Sequence, residues 1–174
     1  MEQLIMRWKN DGQAAKPIQV PQGCQIVNFL QLDNALDHWL NIVQYGLSNG
    51  KKGAAYYHDM MTVRPLYKED KCFFILENGN PVATLTVICD YENKEGYVHM
   101  VACLELFRGK GYGSLLNQIA EFTLKEEGME TAYLTTDDWR IPAIKSYLRI
   151  GFTPDLSTED FQRRWESLYA QLGR

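Results

Sequence analysis

The segment with the most evident chemistry is Arg108-Gly109-Lys110-Gly111-Tyr112-Gly113. It follows a β-rich run, Tyr97 to Leu104, and precedes Leu115, Leu116, Ile119, Ala120 and Leu124 at helical spacing. Three alternate glycines let the backbone turn tightly and aim several N–H groups at one point. The next helix adds the positive end of its dipole there. Arg108 and Lys110 contribute formal charge, so the turn suits a pyrophosphate. On spacing alone, an ordinary strand-to-helix turn accounts for the glycines equally well. A Walker-type phosphate loop is excluded because no Gly-Lys-Ser/Thr occurs, and Ser114 stands where a dinucleotide fingerprint needs its third glycine.

The elements that must position this turn are legible as changes of period. Gln3–Trp8 and Cys24–Gln31 read as strands. Asp33 offers an N-cap to a helix carrying Leu36, Trp39, Leu40, Val43 and Leu47, ended by Asn49-Gly50. A second helix is expected over Ala54–Met61. Cys72–Glu77 and Val82–Cys89 flank Asn78-Gly79-Asn80 and read as a hairpin, with Tyr97–Leu104 the next strand. The helix opening at Ser114 runs to a cap at Gly128. Ala132–Thr135 is a strand and Arg140–Ile150 a helix closed by Gly151. Asp137 and Asp138 precede that helix, where capping is expected of at least one and an ammonium partner is the other role. Ser157 and Asp160 form a capping box for a last helix, Ser157–Leu172. Antiparallel strands followed by a β-α-β unit predict an α/β or α+β layered fold.

The 174 residues suit a single domain, 1–174, that needs no metal or disulfide staple. Hydrophobic residues at 45% and charged residues at 23% are the balance of a globular chain. With 18 Lys+Arg against 22 Asp+Glu, a nucleic-acid partner is not expected, because such domains present a net basic surface. The longest apolar runs, such as Cys72–Leu76 and Met100–Leu104, are too short to span a bilayer, and no signal core follows the N-terminus. Cys24, Cys72, Cys89 and Cys103 form no CxxC pair, and the three histidines lack metal-ligand spacing. No metal and a reduced, cytoplasmic setting are therefore expected.

Arg108 to Gly113 resembles the Arg/Gln-x-x-Gly-x-Gly/Ala motif of the GNAT superfamily of N-acetyltransferases. A second block, Leu134-Thr135-Thr136-Asp137-Asp138-Trp139-Arg140-Ile141-Pro142-Ala143-Ile144-Lys145-Ser146-Tyr147 with Gly151-Phe152, is similar to that family's later strand and helix. The resemblance covers roughly 25–152, the expected N-acetyltransferase core, with 157–172 as an added C-terminal helix. The Asp-Asp-x-Arg-x-Pro-Ala-Ile variant is similar to acetyltransferases related to mycothiol synthase.

The resemblance implies a mixed, mostly antiparallel central sheet flanked by helices and splayed beside the cofactor-binding helix. It implies acetyl-CoA as acyl donor, held along Val101, Ala102 and Cys103, with its pyrophosphate on Arg108, Gly109, Lys110, Gly111, Tyr112, Gly113 and Ser114. Tyr147 aligns with the tyrosine that protonates the leaving thiolate. His99 resembles a histidine used as base by serotonin N-acetyltransferases, and its reference pKa of about 6.5 suits that role; a hydrogen-bonded strand histidine is the alternative. Thr135 stands where some members carry a glutamate base. Glu105 replaces a frequent proline and Arg140 a frequent asparagine, with a phosphate within Arg140's reach. The acceptor pocket is expected from the Asp33–Met61 helices, with Tyr56, Tyr57, His58 and Met60 as candidate lining.

The expected reaction is acetyl transfer to a small-molecule amine by direct attack. A protein N-terminal or lysine acetyltransferase and a catalytically silent acyl-CoA-binding module are the alternatives. A homodimer is left open. The resemblance also leaves open how the sheet ends: either the family's last strand is missing, or Gln3–Trp8 supplies an edge.

Overall fold

A computed structural model of the chain describes residues 2–44, 47, 50 and 52–173. Seven strands form one sheet: β1 (Leu4–Lys9), β2 (Cys24–Asn28), β3 (Cys72–Glu77), β4 (Asn80–Asp90), β5 (Glu95–Cys103), β6 (Thr131–Thr136) and β7 (Thr153–Pro154). Their order across the sheet is β2-β3-β4-β5-β6-β1-β7. Every described pair is antiparallel except β5 with β6, which the helix α3 (Tyr112–Glu126) connects. The mixed α/β layering expected from the sequence is the observed one.

The end of the sheet answers the open question. The N-terminal strand β1 lies antiparallel to β6, Leu4 opposite Thr136 and Lys9 opposite Thr131, and the two-residue β7 adds to its far side. The N-terminus thus occupies an interior strand position rather than an edge. Its alternation supports this: Leu4, Met6 and Trp8 are buried while Arg7 and Lys9 are exposed.

Helices cover both faces of the sheet. On one, Leu115, Leu116, Ile119, Ala120 and Leu124 of α3 pack with α4 (Ile141–Arg149) and α5 (Glu159–Leu172) over β1, β4 and β5. On the other, Trp39, Ile42 and Val43 of α1 (Ala35–Val43) join Tyr57 of α2 (Ala54–Tyr57), Met61, and Phe74 of β3. A fully buried Leu, Ile or Phe contributes about 2 kcal/mol, so these two layers are the main stabilising term. The contact of α3 with β5 is close at Gly96, where any Cβ would come within 2.1 Å of Leu124 Cδ2. A side chain at position 96 would force Leu124 to move.

Several boundaries differ from the sequence reading. Strand β2 stops at Asn28, whose side chain caps a short 3-10 turn, Phe29–Gln31. The cap position of α1 is Asn34 in left-handed conformation with no side-chain cap bond, so Asp33 does not serve. The expected end of that helix at Asn49 lies outside the described residues. The Ala54–Met61 helix is four α residues followed by a π turn, His58–Thr62. Thr158 rather than Ser157 caps α5, accepting from the Phe161 N–H at 3.1 Å.

Candidate functional site

Strands β5 and β6 pair only from Glu95 to Tyr97 opposite Thr131 to Tyr133. Beyond Tyr97 they part. The cause is visible on the other side of β5. Thr84 pairs with Ala102 but Thr86 with His99, so Met100 and Val101 face Leu85 alone. Met100 sits at φ 55 in this bulge, which bends the strand away from β6. The β6-side edge of Val101, Ala102 and Cys103 is left facing a cavity of about 620 Å³. That volume is ordinary for a small-ligand site.

The glycine turn closes this cavity. Gly109 at φ 79 and Gly111 at φ 91 hold left-handed conformations that a branched side chain resists. Among the described residues no side chain caps α3, and the first intrahelical bond to Gly111 O comes from Leu115 N at 3.1 Å. The N–H groups of the first turn are therefore available to an anion. Arg108, Gly109, Tyr112 and Gly113 line the cavity. Lys110, Gly111 and Ser114 do not. Lys110 Nζ instead lies 3.6 Å from Glu77 Oε1 and 4.6 Å over the Phe107 ring. Arg108 Nε donates to Cys103 O at 3.3 Å. The space beside Gly109, Gly111 and Gly113 is open, with no atom within 4 Å of a Cβ built there.

Helix α4 forms the opposite wall through Pro142, Ala143, Ser146 and Tyr147. Tyr147 is 7% exposed. Burial pushes its phenol up to about 12, partly offset by Arg140, so the group is a protonated donor at neutral pH. A second, smaller cavity of about 190 Å³ also has Tyr147 in its lining. Leu47, Val101, Arg140 and Tyr147 border both cavities and mark their junction.

His99 lines the second cavity and is 5% exposed. Its Nε2 is 3.1 Å from Met60 O, an acceptor, so Nε2 carries the proton. Nδ1 then accepts from the Tyr97 hydroxyl at 3.0 Å. Burial, aided by Arg64, lowers its pKa to about 4. The imidazole is neutral at pH 7 and reaches the cavity by way of Tyr97.

Residues 37–152 match the family model described as Acetyltransferase (GNAT) family. The chain belongs to that family. Among solved structures, a GCN5-related N-acetyltransferase from Sphaerobacter thermophilus superposes with a TM-score of 0.69 at 18% identity, over 89% of this chain and 50% of that one. One from Kribbella flavida gives 0.55 at 20%, over 88% and 55%. Arabidopsis thaliana Naa50, in complex with the bisubstrate analogue CoA-Ac-MVNAL, gives 0.58 at 20%, over 75% and 83%. The chain thus spans about half the length of the first two structures. Comparison with curated protein sequences yields no significant match.

In this GNAT chain neither Asp137 nor Asp138, at least one of which was expected to cap α4, caps it through its side chain. Asp137 accepts from Gln3 Nε2 at 3.1 Å and Arg140 Nε at 3.0 Å. Asp138 pairs with Arg164 of α5, tying the loop before α4 to the C-terminal helix. The first residue of α4 follows Arg140, and no side chain caps it. Of the expected acceptor lining, Tyr56 and Met60 face the second cavity, as does Thr135. Tyr57 is core, its hydroxyl 2.6 Å from that of Tyr67, and His58 is exposed beside Thr62.

Several lining residues escaped the sequence reading, among them Tyr97 and the following three. Asn117 is 3% exposed and bonds Ser146 across the gap between α3 and α4. Its signal was a polar residue within the apolar stripe of a helix. Trp139 stands 70% exposed on the cavity wall with the Arg140 guanidinium 4.4 Å from its ring. Arg64 faces the second cavity and belongs to no motif.

Proposed function

We propose that this chain transfers an acetyl group from acetyl-CoA to the amine of a small molecule. The observation that carries this reading is the meeting of two cavities at Tyr147. One cavity runs from an unpaired strand edge to an anion-binding turn, and the other is lined with polar groups. The donor fits the first cavity chemically. The backbone of Val101, Ala102 and Cys103 offers an extended amide a strand to pair with, and Arg108, Gly109 and Gly113 border the place for phosphate. Gly111 sets the turn's conformation, while Lys110 and Ser114 contribute charge and a first-turn N–H from its rim.

Direct attack is the mechanism the site favours. Cys103 is the thiol on the cavity wall, and burial pushes it up to about 11, which leaves little thiolate to form an acyl-enzyme. The amine enters from the second cavity and attacks at the junction. The Tyr147 hydroxyl gives its proton to the departing sulfur. The proton lost by the amine leaves through water in the second cavity, which links the junction to the Tyr97 hydroxyl and, beyond it, Nδ1 of His99. A base of pKa about 4 is weak, but a nitrogen that has attacked a carbonyl is itself acidic. The chain acts as one domain, 1–174, in a reducing cytoplasm, a setting consistent with its four free thiols.

Thermal unfolding with and without acetyl-CoA, followed by thiol release against a panel of amines, tests the proposal. A rise in Tm with acetyl-CoA and amine-dependent thiol release are expected. A chain that binds no acetyl-CoA contradicts it.

A further inference from the structure

The second cavity contains an unanswered cation. Arg64 follows the π turn His58–Thr62, and its Nε donates to Met60 O at 2.6 Å. Its guanidinium lies 5.7 Å from the Tyr97 ring centroid, and that ring stacks on Tyr133 at 4.5 Å. Among the described residues no carboxylate pairs with Arg64. The other cavity arginine, Arg140, is paired with Asp137 at 3.0 Å. Arg64 is half-buried, and its field reaches far enough to disfavour protonation of His99. An arginine anchored by Nε and stacked on an aromatic ring presents its remaining N–H groups in a fixed direction. A cavity built this way is completed by an anion from its ligand.

The charges of the cavity are also spatially ordered. Arg140, paired with Asp137, sits at the Tyr147 junction, where the amine must react. Arg64 sits against Tyr97, about four residues back along β5 from Val101, a separation on the order of 10 Å along the strand. Resting on the acetyl-transfer reading above, we propose that the acceptor carries a carboxylate or phosphate several bonds from its reacting amine, bound by Arg64. Arg64 is then the residue that selects the acceptor. The acetyl group passes from the thioester sulfur to the amine nitrogen, with the amine's proton balancing the released thiol. The anionic group takes no part in the bond changes.

The test uses the whole chain and measures kcat/KM by thiol release for γ-aminobutyrate, aminopropyl phosphate, γ-aminobutyramide and n-butylamine. The acceptors with an anionic group are expected to exceed the two without one by about 10- to 100-fold, the usual span for a charge-assisted bond. The preferred anion distinguishes carboxylate from phosphate. Arg64→Gln should bring the acid-to-amide ratio close to one, chiefly through KM, and Arg64→Lys should restore part of it. The Tm shift with acetyl-CoA, read on each variant, reports separately on fold and donor site. Equal use by the parent of amines with and without an anionic group overturns the proposal. So does equal loss on both classes in Arg64→Gln, or failure of every anionic amine while acetyl-CoA still binds. Absence of the acetyl-CoA shift in the parent instead overturns the acetyl-transfer reading itself.

Discussion

Nδ1 of His99 lies 3.0 Å from the hydroxyl of Tyr97, two residues away on the same strand, while Nε2 is held by Met60 O. Burial of the ring and the nearby Arg64 charge lower its pKa from 6.5 to about 4, against the opposing effect of the bond to Met60 O. The unfolded chain binds this proton below about pH 6.5 and the folded chain only below about pH 4. Stability from the neutral imidazole is therefore present above about pH 6.5, declines as the pH falls, and is gone below about pH 4. The shift corresponds to about 3 kcal/mol. Urea unfolding of the parent and of His99→Gln should show the parent's advantage shrinking by that amount over this window. A constant difference contradicts the burial argument. If the imidazole is the base, kcat should stay level from neutrality to about pH 5 and fall below that, not near 6.5.

The glycine turn yields a prediction at Gly113 rather than Gly111. At Gly111, φ 91 makes any branched side chain strained, on the order of 1–3 kcal/mol, so Gly111→Val confounds binding with folding. Gly113 is an ordinary helical residue on the cavity wall with open space at its Cβ. Gly113→Ala should leave Tm unchanged or raise it, since alanine is favoured over glycine in a helix by up to about 1 kcal/mol. It should weaken acetyl-CoA binding by about tenfold or more, measured by calorimetry. Unchanged affinity removes the pyrophosphate from this turn.

The cap of α5 illustrates where sequence patterns stop being decisive. Ser157 and Asp160 have capping-box spacing, but Asp155 takes the Ser157 N–H at 2.9 Å, and Thr158 becomes the cap. Asp160 turns instead to Arg163 and Arg164. Thr158→Ala should cost about 1 kcal/mol in chemical denaturation. A loss near zero would place the helix start elsewhere.

Much of the frame was legible because it is written in local periods. The hairpin around Asn78-Gly79, the stripe of α3 and the glycine turn each depend on residues close in sequence. What was not legible depends on partners far away. Leu4 pairs with Thr136, and nothing near either residue signals it. The bulge at Met100 arises from a register difference between β4 and β5 that no single strand encodes. Arg64 lines the second cavity just after the π turn His58–Thr62, an irregular stretch that helical periodicity does not signal. His99 was legible as a candidate, but its low pKa was not, since that reflects burial against Met60 and the nearness of Arg64.

In the proposed reaction the two cavities meet at a proton donor, and Tyr147→Phe deletes that donor alone. The substitution keeps the ring that packs 6.2 Å from Phe152 and removes only the hydroxyl. That hydroxyl forms no hydrogen bond among the described residues, so Tm should stay near the parent's. Steady-state thiol release with a turned-over amine should show kcat reduced by about 10²- to 10⁴-fold, the range of general acid catalysis, with acetyl-CoA affinity little changed. A folded Tyr147→Phe protein that turns over at the parent's rate contradicts the account.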